Sequence, residues 1–342
     1  MKNILSKIKG GLSKDKLSVG LDIGTSQIKV VKLKLNKDQA ELCGFGVEPA
    51  QLDSGEALKK LLEPHSGVPI NISVSGQQSV IRYVNFPRMN TLELRQALKF
   101  EAQKHIPFSV SEVNLDGYIL KDDLPDNKML VLIAAVKKDL VTQRLKLIEG
   151  LGYHTNIIDI DSIALVNAFN FNYPLAQDGD HKALAILNIG SSMTNLNILD
   201  AKLPRLSRDM HIAGSTFTQK IVDIFGVEFA EAERMKLNPD ADKLNKIKAG
   251  VESVLANLAG EIRTSFDYYE SQGASSVEKI FLSGGSAKFS GLKEMLEHFL
   301  GTEVEHWDPF KGIKIGEGID SDKLKELRLE LAVALGLALR NN

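Results

Sequence analysis

The sequence holds a single cysteine, Cys43, no apolar run approaching the ~18 residues that cross a bilayer, and no GxxxxGK[ST] phosphate loop. One cysteine excludes an internal disulfide and fits a reducing cytoplasm. Within ELCGFGV it reads as a strand residue rather than a nucleophile. The lack of a long apolar run or a signal peptide gives no expectation of a membrane span, and the missing motif excludes a P-loop ATPase. The seven histidines have no ligand spacing, so no zinc site is expected, and a net charge of −2 gives no reason to expect nucleic acid. What remains is ordinary: 342 residues, 43% apolar and 25% charged, enough for two domains with their own cores.

The informative stretch runs from Leu17 to Leu35. Val19, Leu21 and Ile23 alternate with Gly20, Asp22 and Gly24; a polar turn, Gly24-Thr25-Ser26-Gln27, leads into a second apolar run through Ile28, Val30 and Leu33. This spacing predicts a β-hairpin with an aspartate at its neck. Its tip can aim backbone N–H groups and two hydroxyls at one phosphate, with Asp22 behind to hold Mg²⁺ through water. Taken alone, an ordinary surface hairpin explains the stretch equally well. The pattern returns, however: Leu21-Asp22-Ile23-Gly24-Thr25-Ser26 aligns with Leu187-Asn188-Ile189-Gly190-Ser191-Ser192, and a returning strand follows each. Two such hairpins in two similar halves would close on one nucleotide from both sides. The arrangement resembles the actin-like ATPase superfamily, and implies a duplicated, ribonuclease H-like α/β fold of two domains.

Between the hairpins the pattern predicts a strand over 40–47, a short helix over 56–62 and a strand over 71–74. A β-α-β-β-α run follows: strand 81–86, helix 91–105, strands 114–121 and 129–136, helix 139–151. This unit, set at 81–152, reads as inserted into a first core subdomain of 17–80, 153–180 and 319–342. A strand from Ile157 leads into a helix to Phe169, with Asp161 at the turn and Ser162 available as a cap. Residues 171–182 read as a linker. The second core subdomain is set at 181–215 plus 278–318, and a helical nucleotide-side subdomain at 216–277. There, 210–214 is short and extended, and Gly214-Ser215-Thr216 opens a helix whose free N–H groups offer another anion site. Helices are expected over 228–237, 243–272, 290–300 and 324–340, with a strand at 279–283. Residues 1–16 carry five lysines and one aspartate. They suit a basic amphipathic helix on an anionic bilayer, but Gly10-Gly11 favours a frayed tail.

Two longer stretches narrow the resemblance. LRQALKFEAQKHIPFSVSEVNLD, from Leu94 to Asp116, and FDYYESQGASSVEKIFLSGGSAKFSGL, from Phe266 to Leu292, resemble the PilM family of type IV pilus assembly proteins, relatives of the division protein FtsA. The resemblance extends from Val19 to Arg340 and implies an FtsA-type inserted subdomain, ATP and Mg²⁺ as cofactors, and weak or absent ATPase activity. It implies that Gly24, Thr25 and Ser26 hold the phosphates from one side and Gly190, Ser191, Ser192 and Thr194 from the other. Asp22 would orient the metal, with Asn188 at the matching place. Gly214 and Ser215 would add anion contacts, and Glu233 and Lys236 would meet the ribose and base. Gly284, Gly285 and Ser286 would pass where any Cβ meets the nucleotide. Asp161 would position the attacking water, or cap its helix; Lys29 is open between phosphate contact and solvated strand face. The second loop usually begins with Asp, and Asn188 brings no charge, so binding is expected to outlast hydrolysis.

The implied role is a nucleotide-gated scaffold of the type IV pilus, or a related type II secretion-like, assembly platform on the cytoplasmic face of the inner membrane, held there indirectly by the cytoplasmic N-terminal tail of PilN. Pilus motor ATPases and further copies of the chain stand as additional partners. A small-molecule kinase of the superfamily would need an acidic base facing a substrate cleft. An FtsA-like polymer-forming scaffold would usually end in a linker and membrane helix, whereas this chain stops at Asn342.

Overall fold

The computed structural model describes residues 16–36, 39–50, 54–173 and 183–340. The basic segment before Lys16 and the linker beyond Tyr173 lie outside them. Strands β1 (Lys16–Ile23), β2 (Gln27–Leu35) and β3 (Ala40–Pro49) form an antiparallel meander; α1 (Ser54–Leu62) follows, and β4 (Ile70–Val74) pairs parallel to β1. The chain then builds β5 (Ser79–Pro87), α2 (Thr91–Ala102), β6 (Val113–Leu124), β7 (Lys128–Lys137) and α3 (Lys138–Glu149). It returns through β8 (Thr155–Ile160), parallel to β4, into α4 (Asp161–Asn172).

The second half opens with β9 (Ala183–Ile189), β10 (Thr194–Asp200) and β11 (Leu203–Met210), again an antiparallel meander. Helices α5 (Gly214–Phe225), α6 (Phe229–Leu237) and α7 (Ala241–Glu270) follow. Then come β12 (Val277–Ser283), α8 (Leu292–Leu300), β13 (Glu303–His306), β14 (Lys314–Ile315), α9 (Ser321–Leu327) and α10 (Ala332–Ala338). The sheet orders are β14-β3-β2-β1-β4-β8 and β11-β10-β9-β12-β13, with β5-β7-β6 separate. Setting β14 aside, the two larger sheets have one topology: a meander whose first strand carries two parallel strands on its other side. The repeat read in the hairpins therefore extends to whole half-domains.

Local chemistry sets some of the boundaries. Helix α2 starts at a reciprocal cap, in which Asn90 Oδ1 accepts from the N–H groups of Leu92 and Glu93 while Glu93 Oε2 accepts from Asn90 N–H at 2.7 Å. Its buried stripe, Leu94, Leu98 and Ala102, covers Met129, Val131 and Ile133 of β7. Opposite-face residues of β7, Leu132 and Val136, join Val74, Ile81 and Ile160 in a separate seam against the first core sheet. Between the halves, α4 and α10 form a layer in one apolar cluster with Leu33, Ile186, Phe281 and Trp307, contributed by both larger sheets and the segment after β13.

Four expectations are corrected. The helix predicted over 324–340 is two short helices, α9 and α10, with a break at Arg328–Leu331; β12's following loop takes a bond there, Gly284 N–H to Leu329 O at 2.8 Å. The meander strand β11 was not expected, and only 211–213 is irregular where an extended segment was read over 210–214. The helix placed at 290 starts at Leu292 after a 3₁₀ turn, Gly285–Lys288. Ser162 is buried and caps nothing; the α4 N-cap position is Ile160.

Candidate functional site

Both hairpins close the same way, with Gly24 N–H donating to Gln27 O at 3.0 Å and Gly190 N–H to Met193 O at 2.9 Å. The tips meet across the gap between the halves, where Thr25 Oγ1 donates to Ser192 Oγ at 3.0 Å. Among the described residues, the backbone N–H groups of Thr25, Ser26, Ser191 and Ser192 have no partner. Two opposed turns with free donors form a split anion nest.

Behind each tip sits a matching cross-strand pair. Asp22 lies opposite Lys29, and their side chains form an ion pair at 2.9 Å, each only about one-eighth exposed (12% and 13%). Lys29 is thus neither a free phosphate ligand nor a solvated lysine in this state. The equivalent pair in the second half is Asn188 opposite Asn195, joined amide to amide at 3.1 Å, and Asn188 Oδ1 also accepts from Ser283 Oγ at 3.2 Å. An ion pair in one half is a neutral pair in the other.

The free N–H groups expected at α5 are taken. Gly214 N–H donates to Gly190 O at 3.0 Å, Ser215 N–H to Ser191 O at 2.7 Å, and Ser286 Oγ to Gly190 O at 2.8 Å. Gly214 and Ser215 clamp the second tip instead of presenting open donors. A Cβ on Gly214 would stand 1.9 Å from Ser286 Oγ, so glycine is required there by packing. Thr194 is fully buried and donates to Ile212 O at 2.7 Å. Lys236 is buried, donating to Glu233 at 2.8 Å, Thr218 at 3.0 Å and Gly214 O at 3.3 Å; burial lowers its pKa and Glu233 opposes that. It ties α6 to the start of α5.

The glycine pair after β12 divides its duties. Gly284 has φ +97°, and a Cβ there would lie 2.3 Å from Ile189 O, so the clash expected for both glycines is here with the backbone of β9. Gly285 has room for a Cβ, which would make only ordinary contacts, 3.7 Å from Glu330 and 3.9 Å from Gln27. Glu330, buried in the α9–α10 break and ion-paired with Lys288, was not anticipated, because an unbroken helix leaves it no special place.

Asp161 begins α4 beneath the first tip. Burial first, then the Asp22 and Asp209 charges, push its carboxyl up to about 7, against hydrogen bonds from Ser73 and Ser75. The unfolded chain ionises near 3.8, so the folded state holds the proton more tightly and stability is lost as pH rises from about 4 to 7. Asp161→Asn is therefore expected to raise the melting temperature at pH 8, by roughly 1–2 kcal/mol of stability once cleft water is allowed for, and to change little at pH 4. Equal shifts at both pH values would mean that Asp161 is not held neutral. Among the described residues, no cluster of three or more His, Cys, Asp or Glu is spaced to hold a metal directly.

Compared with known families, residues 20–342 match the family model of type IV pilus assembly protein PilM. The chain belongs to the PilM family. A solved chain described as the PilM-PilN type IV pilus biogenesis complex superposes with a TM-score of 0.82 at 26% identity, covering 94% of this chain and 98% of that one. The ethanolamine utilization protein EutJ from Carboxydothermus hydrogenoformans superposes with a TM-score of 0.55 at 14% identity, covering 97% and 92%, which is a likeness of fold alone. This PilM-family chain has the actin-like fold expected from its hairpins.

Proposed function

We propose that this chain is a nucleotide-gated scaffold of a type IV pilus inner-membrane platform, binding ATP between its hairpins and the cytoplasmic tail of a PilN-type protein beside its inserted unit. The observation that carries the reading is the PilM match over residues 20–342, together with the solved PilM–PilN complex at 26% identity. The site fits a nucleotide on its own chemistry: four unpartnered N–H groups at two facing tips, and Gly285 with room for a Cβ beside Gln27 and Glu330. Thr25, Ser26, Ser191 and Ser192 would hold the phosphates. Asp22 would hold Mg²⁺ through water, and Lys29, its present partner, would serve a phosphate. The bound metal would supply charge neutralisation at the phosphates. Asn188 adds no charge at the matching place, which supports tight binding with little turnover.

For the tail, support comes from the seam between the inserted unit and the first core sheet. Tyr83, Leu120, Leu140, Val141, Ile158 and Ile163 are only partly buried there, around a small apolar cluster. Such a rim suits the apolar side chains of an extended peptide. A tail that orders on binding gives up part of its contact energy, so micromolar affinity is expected. No helix among the described residues is long and apolar enough to cross a membrane, so the tail would supply the attachment.

Titrating a synthetic PilN-type tail and Mg–ATP by calorimetry, with phosphate release in parallel, tests the reading. Both are expected to bind, with phosphate released far more slowly than ATP exchanges. Tail binding that persists after residues 81–152 are replaced by a short linker, in a protein shown to fold, would refute the seam.

A further inference from the structure

A line of in-register side chains runs from the second hairpin to the doorway of the inserted unit. Asn188, Asn195 and Asp209 sit opposite one another on β9, β10 and β11. Asn188 Nδ2 donates to Asn195 Oδ1 at 3.1 Å, and Asn195 Nδ2 to Asp209 Oδ1 at 2.7 Å. Asp209 Oδ2 then accepts from Gly76 N–H at 3.1 Å, in the turn joining β4 to β5. Asn195 is buried at 3% exposure, so each link satisfies a group that would otherwise be costly to bury.

Two residues further along, on the same face, a second bridge is built. Asn197 lies opposite Ser207, whose Oγ donates to Asn197 Oδ1 at 2.6 Å and lies 2.8 Å from the Tyr83 hydroxyl of β5. Gln77 Nε2 adds a contact to His211 Nε2 at 3.3 Å. Among the described residues, the polar links from the second half of the chain to residues 76–83 come from Ser207 and Asp209 of β11 and from His211 just beyond it. Among the described residues, only the Asp209 link continues back to the strand that delivers the Gly190–Ser192 tip.

We propose that Asp209 and Asn195 are positioning residues that couple the second hairpin to the inserted unit through Gly76. A displacement of Asn188 when the tip engages an anion strains the part-buried hydrogen bonds that converge on buried Asn195, and is passed on through Asp209 to Gly76 and β5. Asp209 itself needs no contact with nucleotide or tail. The inference deepens the proposed function, and its first test does not depend on it.

That first test is amide exchange on the ligand-free protein. Asn188→Ala is expected to raise exchange at Gly76 and along residues 79–83 at least about fivefold, although Asn188 touches none of them. A rise confined to β9 and β10 overturns the proposal. The second test compares tail affinity with and without ATP. In the wild type the ratio is expected to be about fivefold or more, and in Asp209→Ala to fall to within about twofold of one. A merely structural loss is distinguished by the reciprocal pair Asn195→Asp with Asp209→Asn. That exchange leaves a hydrogen bond possible at each link, with the middle one reversed so that position 209 donates to position 195, and is expected to restore both the ratio and the slow exchange at Gly76. A folded double variant that behaves like Asp209→Ala refutes the ladder. Should the wild type bind neither ATP nor tail, the proposed function fails, and the exchange measurement alone decides the ladder.

Discussion

Gly285→Val is expected to give a folded protein that no longer binds ATP, whereas Gly284→Val is expected not to fold. The two glycines are adjacent, yet a side chain at each meets different surroundings. At Gly285 the added Cβ would have only ordinary contacts, 3.7 Å from Glu330 and 3.9 Å from Gln27. A branched side chain there reaches into the space between Gln27 at the first hairpin and Glu330, so the expected loss in ATP affinity is on the order of 100-fold or more, roughly 2.7 kcal/mol. At Gly284, φ of +97° already disfavours any other residue, and the Cβ would stand 2.3 Å from Ile189 O. Backbone strain and overpacking together cost roughly 3–6 kcal/mol, a large part of the ~5–15 kcal/mol that holds a domain together. Thermal melts and ATP calorimetry on the two variants separate the effects. If Gly285→Val binds ATP normally, the nucleotide does not lie against the 3₁₀ turn; if Gly284→Val melts like the wild type, the loop relaxes away from β9.

Much of the architecture was legible because it rests on local signals. The turns at Gly24 and Gly190 repeat in sequence and close with the same i to i+3 bond, so reading one predicts the other. The strands and helices between Ser79 and Glu149 lie within three residues of the stretches read, because each carries its own apolar pattern and boundary residues. What could not be read depends on partners distant in the chain. The break at Arg328–Leu331 lies in an apolar, helix-favouring run, and is held by the bond from Gly284 and the Glu330–Lys288 pair. Strand β11 contains Pro204, Arg205 and Arg208 and lacks a strong apolar alternation; pairing with β10 makes it a strand. Helix α5 has the sequence of an open anion site, but the second hairpin folds back onto its first two N–H groups. The Asn188–Asn195–Asp209 line follows from strand register, which no single stretch of sequence fixes.

The layer between the halves carries the other large effect. Helix α10 is buried at every position, with its backbone laid directly on its neighbours. A Cβ at Gly336 would fall 1.9 Å from Ala164 O of α4, and one at Gly20 of β1 would fall 2.0 Å from Ala334 O. Both clashes are with backbone, which cannot rotate aside as a side chain would. Gly336→Ala gains roughly 1 kcal/mol of helix propensity, but forcing α4 and α10 apart is expected to cost about 3 kcal/mol or more, a net loss of several degrees in melting temperature. Gly260, exposed in α7 with no atom within 4 Å of where a Cβ would stand, supplies the contrast. Gly260→Ala is expected to stabilise by roughly 0.5–1 kcal/mol, through propensity and a less flexible unfolded chain. Opposite signs for one substitution in two helices would locate the effect in the interface rather than in the helix. Because α10 touches the strand that leads to Asp22 and the helix that begins with Asp161, surviving Gly336→Ala protein is also expected to bind ATP more weakly, while Gly260→Ala binds it unchanged. Equal melting shifts of the same sign would show that α10 has room to move away from α4.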